Sequence, residues 1–214
     1  MGQAVKRQYD NSRREAQLRA SKAGVVEAAR RLFIERGYVA TSIESIGEAA
    51  GMPLATLYRL FGSKRGILNA VLEVSFVGDD EPVALHDRPS AQAAYAEGDP
   101  RGVIAGFAHV CREVADRSAP MHQVLRSAAA VDEEAAQLLG EINRQRLEGQ
   151  TRVARLLAKR RALAPGLSVK DAADVIYTLM SPDVHRLLTQ ERGWSSDRYE
   201  AWLATTLANA LLAQ

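Results

Sequence analysis

The sequence is poor in cysteine and aromatic residues, and it has no long apolar run. With Cys111 as the single cysteine among 214 residues, an internal disulfide is excluded and the fold must rest on its core. No apolar run approaches the roughly 18 to 20 residues that a membrane-spanning helix needs. The N-terminus also has no apolar segment of the kind that directs secretion. We therefore expect a cytoplasmic protein without a membrane partner.

The net charge of +2 conceals an uneven distribution along the chain. Residues 1–70 hold 12 Lys and Arg against 6 Asp and Glu, whereas residues 71–214 hold 16 against 20. A basic first third joined to a mildly acidic remainder indicates a part that binds a polyanion and a body with another task. Chance clustering of charge is the alternative at this point.

Apolar residues at helical spacing predict an all-α protein, and no stretch alternates as a β-strand would. Between the two groups of helices, residues 78–90 contain Gly78-Asp79-Asp80-Glu81-Pro82, an acidic segment with helix breakers that predicts a linker. The expected helices lie at about 21–36, 42–50, 53–60, 64–76, 90–96, 100–117, 119–129, 132–160, 169–180 and 197–213.

The two short helices on either side of Gly51 are the most informative pattern. Two helices of about two turns, joined by a short turn that contains glycine, are typical of a helix-turn-helix. Thr41 and Glu44 have the spacing of a capping box, in which the Thr41 hydroxyl accepts from the Glu44 amide. The second helix is then expected to enter the major groove of DNA, which is wide enough to admit it.

Three parts of the chain follow from these patterns. Residues 1–20 are polar and basic, and they predict a flexible arm that either follows the minor groove of DNA or remains a solvated tail. Residues 21–76 form the helix-turn-helix domain, with the fourth helix as connector. Residues 90–214 form a larger helical domain.

The first of these domains resembles a known family. The segments AARRLFIERGY (28–38), TSIESIGEAAGMP (41–53) and TLYRLFGSK (56–64) are similar to the DNA-binding domain of TetR-family transcriptional regulators, over about residues 22 to 72. The resemblance implies an N-terminal three-helix helix-turn-helix domain and a C-terminal helical domain for ligand binding and dimerisation. It also implies a bacterial homodimeric repressor that a small apolar ligand releases from a pseudo-palindromic operator.

The resemblance implies DNA-binding roles for eight residues. Thr41 and Ser42 stand at the N-terminus of the second helix, where hydroxyl and backbone N–H groups bind a phosphate. Thr56 and Tyr58 match positions that contact the sugar-phosphate backbone, and Lys64 matches a position that meets another phosphate. The positions that reach base edges hold Leu54, Ala55 and Arg59.

Two positions depart from the family pattern. Leu54 stands where many members carry a polar or basic residue, and Leu60 stands where histidine is frequent. Arg59 therefore carries much of the expected base readout, since a bidentate contact between arginine and guanine contributes about 1–3 kcal/mol of discrimination, while Leu54 is placed to touch a thymine methyl group. The alternatives are a merely solvated hydroxyl for Thr56 and core packing for Tyr58.

The C-terminal domain is expected to form the dimer and to hold the effector. The last two long helices carry apolar stripes that would pack against their copies in a two-fold bundle, unless one protomer buries both stripes within itself. The stripes are Ala172, Val175, Ile176 and Leu179, and Trp202, Leu203, Thr206, Leu207, Ala210 and Leu211. The candidate ligand contacts, for which ordinary core packing is the alternative, are Phe107, Cys111, Met121, Leu125, Tyr177 and Met180.

Catalysis and metal binding find little support in the sequence. No phosphate-binding loop, dinucleotide fingerprint or nucleophile elbow occurs, and the four histidines are scattered. His109 and Cys111 do not make a metal pair, because residues two apart on a helix point in different directions. We expect no enzyme, no metal and no cofactor. The remaining rival is a DNA-binding activator or architectural protein that has a filled C-terminal core and no ligand.

Overall fold

Ten α-helices make up most of the described chain. The computed structural model describes the backbone of residues 2–78 and 85–213, and the side chains of residues 17–78 and 85–213. These parts contain no strand, and one isolated bridge joins Leu163 to Leu212. The all-α prediction is confirmed. The helices are α1 (Gly2–Arg36), α2 (Ile43–Ala50), α3 (Leu54–Phe61), α4 (Lys64–Val77), α5 (Pro89–Ala96), α6 (Pro100–Ala129), α7 (Glu133–Lys159), α8 (Val169–Leu179), α9 (Pro182–Arg186) and α10 (Ser196–Leu211).

The first helix is much longer than the sequence analysis expected. We predicted an irregular arm over residues 1–20, but α1 runs without a break from Gly2 to Arg36. Residues 3–20 contain neither proline nor glycine and are rich in Ala, Arg, Gln and Glu, which have high helix propensity. Ser21, where the predicted helix begins, therefore lies inside α1.

Two further helix boundaries differ from the prediction, and both involve proline. Pro120 lies inside the 30-residue helix α6, where we expected a break at 119–120. The ring removes one backbone donor, but packing along both sides of α6 maintains the helix. Pro182 opens the short helix α9, which the sequence analysis missed, and the Ser181 hydroxyl caps it by accepting from the Asp183 amide.

Two apolar cores are arranged along the long helices α6 and α7. The first core joins the buried faces of α1 to α4 to the C-terminal part of α6, through Met121 and Leu125, and to the start of α7, through Leu138. The second core joins the N-terminal part of α6 to the end of α7 and to α8 and α10. Within the expected linker at 78–90, Gly78 caps the end of α4 and a 3-10 turn spans Leu85–Asp87, while residues 79–84 lie outside the described residues.

Candidate nucleic-acid interface

Helices α2 and α3 are held together by a tight turn and a close helix crossing. Gly51 ends α2 with φ at 62°, a left-handed conformation that glycine adopts without strain. A Cβ at Gly47 would lie 2.9 Å from the Met52 carbonyl oxygen and 3.3 Å from Leu57 Cδ1. Ile46 and Leu57 are buried at this crossing, at 0% and 1% exposure. The pair is therefore a rigid unit with one inner face.

The N-terminus of α2 is capped by Ser42 rather than by Thr41. The Ser42 hydroxyl accepts from the Ser45 amide at 3.1 Å, and Ser42 remains exposed. Thr41 is fully buried, and its hydroxyl donates to the carbonyl oxygens of Gly37, at 2.8 Å, and Leu32, at 3.3 Å. The expected capping box of Thr41 and Glu44 is therefore wrong, and the Thr41 hydroxyl has no free path to a phosphate.

One face of α3 is open to solvent. Leu57 is buried, whereas Ala55, Tyr58 and Arg59 are exposed. Tyr58 has 48% of its surface exposed, so the alternative of core packing for this ring is wrong. Beside this open face lie three half-buried residues, Leu54, Thr56 and Leu60. The open face thus presents one phenol and one guanidinium among apolar groups.

Lys64 stabilises the loop between α1 and α2. Its ammonium group donates to the carbonyl oxygens of Tyr38, at 3.0 Å, and Thr41, at 3.1 Å, and lies 4.2 Å from the centre of the Tyr38 ring. Partial burial lowers the pKa of Lys64 and raises the pKa of Tyr38 to about 12. Two of the three ammonium protons are used inside the fold, so one remains for a phosphate.

The start of α4 lies directly against the end of α3. A Cβ at Gly66 would be 1.9 Å from the carbonyl oxygen of Phe61, so any larger residue must displace backbone. The Ser63 hydroxyl caps α4 by accepting from the Gly66 amide at 3.1 Å. Arg65 then joins the domain to α7 through Glu141, at 2.8 Å. These contacts fix the orientation of α3 relative to α4 and α7.

Comparison with known proteins identifies this arrangement. Residues 25–71 match the family model of bacterial regulatory proteins of the tetR family, and this range includes the whole of α2 and α3. This part of the chain is therefore similar to the DNA-binding domain of tetR-family regulators. The family resemblance found in the sequence is confirmed, and it covers the helix-turn-helix and the adjoining parts of α1 and α4.

Solved structures share the fold of nearly the whole chain. NalD of Pseudomonas aeruginosa, the secondary repressor of the MexAB-OprM multidrug efflux pump, is 20% identical, with a TM-score of 0.69 over 90% of this chain and 97% of that chain. SmeT in its complex with triclosan is also 20% identical, with a TM-score of 0.71 over 91% of this chain and 93% of that chain. No curated protein matches the sequence. Identities this low establish the fold alone.

Helices α5 to α10, which form the body of the protein, do not bring the six candidate ligand residues into one pocket. Met121 and Leu125 belong to the first core, which they share with the DNA-binding domain, whereas Phe107, Cys111 and Met180 belong to the second. Tyr177 is half-buried beside Arg146. Two surface grooves in the described part of the chain lie elsewhere, one lined by residues of 158–169 and one between α1 and α2.

A buried polar cluster lies between the two cores, and the sequence analysis missed it. It consists of Arg146 and Gln150 on α7, His122 on α6 and His185 on α9. Gln150 is 2% exposed, His185 4% and His122 8%. Burial, with the positive charges of Arg146 and Arg126, lowers the pKa of His122 to about 4. The available signal was that Arg146, Gln150 and Val153 follow one another at helical spacing on a stripe that faces the core.

The apolar stripes expected at a dimer interface are largely used within the protomer. Ala172 and Ile176 of α8 and Leu203 and Leu207 of α10 are all fully buried, because the two helices pack on each other and on α6 and α7. The expectation that these stripes face a second copy is therefore wrong for the buried members. The outer face of α10 instead exposes small residues, namely Ala201, Thr205, Asn209 and Ala210.

Within the described residues, no helix combines the length and the apolarity needed to cross a membrane.

Proposed function

We propose that this chain binds operator DNA with α3 in the major groove and the N-terminus of α2 against a phosphate. The observation that supports the proposal is the open face of α3, where Tyr58 and Arg59 are exposed while Leu57 fixes the helix from behind. Exposed Ser42 adds a hydroxyl and a free helix N-terminus on the same domain. The proposed contacts are Ser42, Leu54, Ala55, Thr56, Tyr58 and Arg59, with Lys64 offering its one remaining proton.

The active form that we propose is a homodimer acting as a repressor in the bacterial cytoplasm. A two-fold dimer places two recognition helices on the half-sites of a pseudo-palindromic operator. The exposed small residues of α10 support a close contact between two copies of this helix, because Ala and Thr let helix backbones approach. NalD, which shares the fold, is named as a repressor.

Release from the operator is proposed to follow from binding of a small molecule in the body. An effector that binds better to a dimer with misplaced recognition helices lowers DNA affinity, and DNA lowers effector affinity by the same factor. SmeT, with the same fold, is known in complex with triclosan. Arg65 and Glu141 connect the DNA-binding domain to α7 and offer a direct link between the two sites.

Selection of operators from random DNA with the purified protein tests the DNA-binding proposal. On the selected operator, Arg59→Ala is expected to weaken binding by about 1–3 kcal/mol and to relax preference at one base pair. Arg155→Ala, which removes an exposed arginine from α7, is the matched control and is expected to leave affinity unchanged. Equal affinities for Arg59→Ala and Arg155→Ala on every selected sequence would contradict the proposed interface.

A further inference from the structure

The polar cluster between the two cores contains hydrogen-bonding atoms that nothing in the described structure satisfies. Neither the Oε1 nor the Nε2 atom of Gln150 has a partner, although the side chain is 2% exposed. The Nε atom of Arg146 and the Nδ1 atom of His185 are also buried without a partner. Buried polar groups are otherwise paired nearly always, because leaving one unpaired is costly. Three of these atoms belong to Arg146 and Gln150, which lie one helical turn apart on α7, and they indicate a site for a polar group from outside the chain.

The guanidinium of Arg146 has no counterion. Among the described residues, no carboxylate lies within ion-pair distance of Arg146. Its partners are the Tyr177 carbonyl oxygen, 3.4 Å from Nη2, and the Tyr177 ring, whose centre is 3.9 Å from Cζ. Asp116 is paired with His185 at 2.9 Å and with Arg112 at 3.6 Å. A partly buried guanidinium without a counterion suits an anionic ligand.

The second core approaches the cluster at Cys111, which lies near enough to Arg146 to affect the pKa of the guanidinium. Phe107 and Met180 lie in the second core, and Cys111, one helical turn after Phe107, also packs against that core. Burial raises the pKa of Cys111, so its thiol adds no negative charge there. Tyr177 covers the guanidinium of Arg146 and is itself half-buried.

We propose that Arg146 and Gln150 bind the carboxylate of a small amphipathic acid, with its apolar body against Phe107 and Met180. The guanidinium accommodates the two carboxylate oxygens, and the Gln150 amide donates a further hydrogen bond. This inference rests on the proposed function, since it assigns the chemistry of the effector. It replaces the purely apolar ligand expected from the family resemblance, because an apolar molecule would leave the buried donors of Arg146 and Gln150 unpaired.

Binding of three eight-carbon probes to the protein without DNA tests the carboxylate. Octanoate, octanamide and 1-octanol share the apolar chain and differ in the head group. We expect octanoate to raise the melting temperature and to bind, by titration calorimetry, at least tenfold more tightly than the other two, since hydrogen bonds to charged groups contribute about 1.5–3 kcal/mol. Equal affinity for the three probes would overturn the proposal.

Two substitutions on α7 separate a ligand site from a structural network. Arg146→Met and Gln150→Leu are expected to reduce octanoate affinity roughly tenfold or more. Arg144→Met, which removes an exposed arginine two residues away, is the control and should bind octanoate as the wild type does.

The melting temperature of the ligand-free Gln150→Leu variant distinguishes a ligand site from a structural role, because the two predict changes of opposite sign. Gln150→Leu replaces an unpaired buried amide by an apolar group of similar volume, so we expect the ligand-free protein to melt at a higher temperature than the wild type. If buried waters bridge Gln150 as part of the fold, the same change lowers the melting temperature and overturns the proposal.

Failure of this inference is distinguishable from failure of the proposed function. The probe titration contains no DNA, and the operator assay contains no probe. Arg59→Ala is expected to leave octanoate affinity unchanged, and Gln150→Leu is expected to leave operator affinity unchanged while abolishing release by octanoate. Octanoate binding by a protein that selects no operator would contradict the proposed function alone.

Discussion

The DNA-binding domain and the body of this protein differ in how their buried polar groups are paired. In the first, two buried hydroxyl groups are satisfied by backbone carbonyls: Thr41 bonds to Gly37 and Leu32, and Ser75 bonds to Val71 at 2.7 Å. In the body, Gln150 and His185 are buried with atoms unpaired. A surface that must match a fixed DNA groove benefits from a rigid support, whereas an interior that must respond to a ligand benefits from groups which the ligand alone completes.

In the DNA-binding domain, we expect the largest loss of stability from substitution of Gly66. Gly66→Ala places a Cβ 1.9 Å from the Phe61 carbonyl oxygen, so we expect a loss of about 4 kcal/mol of unfolding free energy and loss of operator binding. Denaturant unfolding and DNA titration measure both effects. Gly140→Ala is the control, because Gly140 lies inside α7 with nothing within 4 Å of the added Cβ. It should stabilise the protein by about 0.5–1 kcal/mol. Equal stability of the two variants would refute the close contact between α3 and α4.

We expect the unfolding free energy of the protein to depend on pH because of the buried residue His122. Because burial and two nearby arginines lower its pKa from 6.5 to about 4, the unfolded chain takes up a proton as pH falls through 6.5 and the folded chain does not. The unfolding free energy therefore falls with decreasing pH, by about 1.4 kcal/mol per unit at most, down to about pH 4.

Comparison with His122→Gln isolates this contribution from those of other titrating groups. The difference in unfolding free energy between wild type and variant should be constant above pH 7 and should shift towards the variant below pH 6. A difference that stays constant from pH 8 to pH 4.5 would mean that His122 takes up its proton equally well in the folded protein.

Lys64 tests whether the DNA-binding domain uses its charges for the fold or for DNA. Lys64→Met removes two hydrogen bonds to the loop carbonyls of Tyr38 and Thr41 and the contact with the Tyr38 ring, so we expect a loss of about 1–2 kcal/mol of stability. Lys22→Met removes an exposed charge from α1 and serves as the control. If Lys64 instead acts chiefly on a phosphate, the variant should be as stable as the wild type. The slope of log DNA affinity against log salt concentration should then fall by about one.

The sequence predicted the DNA-binding domain well because its patterns are local. Gly51 between two short amphipathic helices defines the turn, and each predicted boundary of α2, α3 and α4 lies within one residue of the structure. The body was harder, because the side on which an apolar residue packs depends on contacts distant in sequence. Leu203 and Leu207 look alike whether a second copy or α6 covers them, and the structure places them inside the protomer.

The candidate site shows the same limit at the scale of single residues. The exposed face of α3 followed from helical spacing alone, whereas the burial of Thr41 depends on how the loop after α1 folds back onto Leu32 and Gly37. The polar cluster of the body was missed because Arg146 and Gln150 are ordinary helix formers. Only the packing of α6, α8 and α9 around them reveals that they are buried.

Thr41 and Ser42 allow a comparison between adjacent hydroxyl residues. Thr41 is buried, whereas Ser42 is exposed. Thr41→Val keeps the shape of a buried side chain and removes its hydrogen bonds to Gly37 and Leu32, so we expect a loss of about 1 kcal/mol of stability with operator affinity unchanged.

Ser42→Ala removes the cap of α2 and is expected to lower stability by a similar amount. It should also weaken operator binding, because an exposed hydroxyl beside a phosphate is lost. Circular dichroism during urea unfolding and fluorescence anisotropy on the selected operator separate the two readouts. Weaker DNA binding by Thr41→Val than by Ser42→Ala would return Thr41 to the interface and contradict its burial.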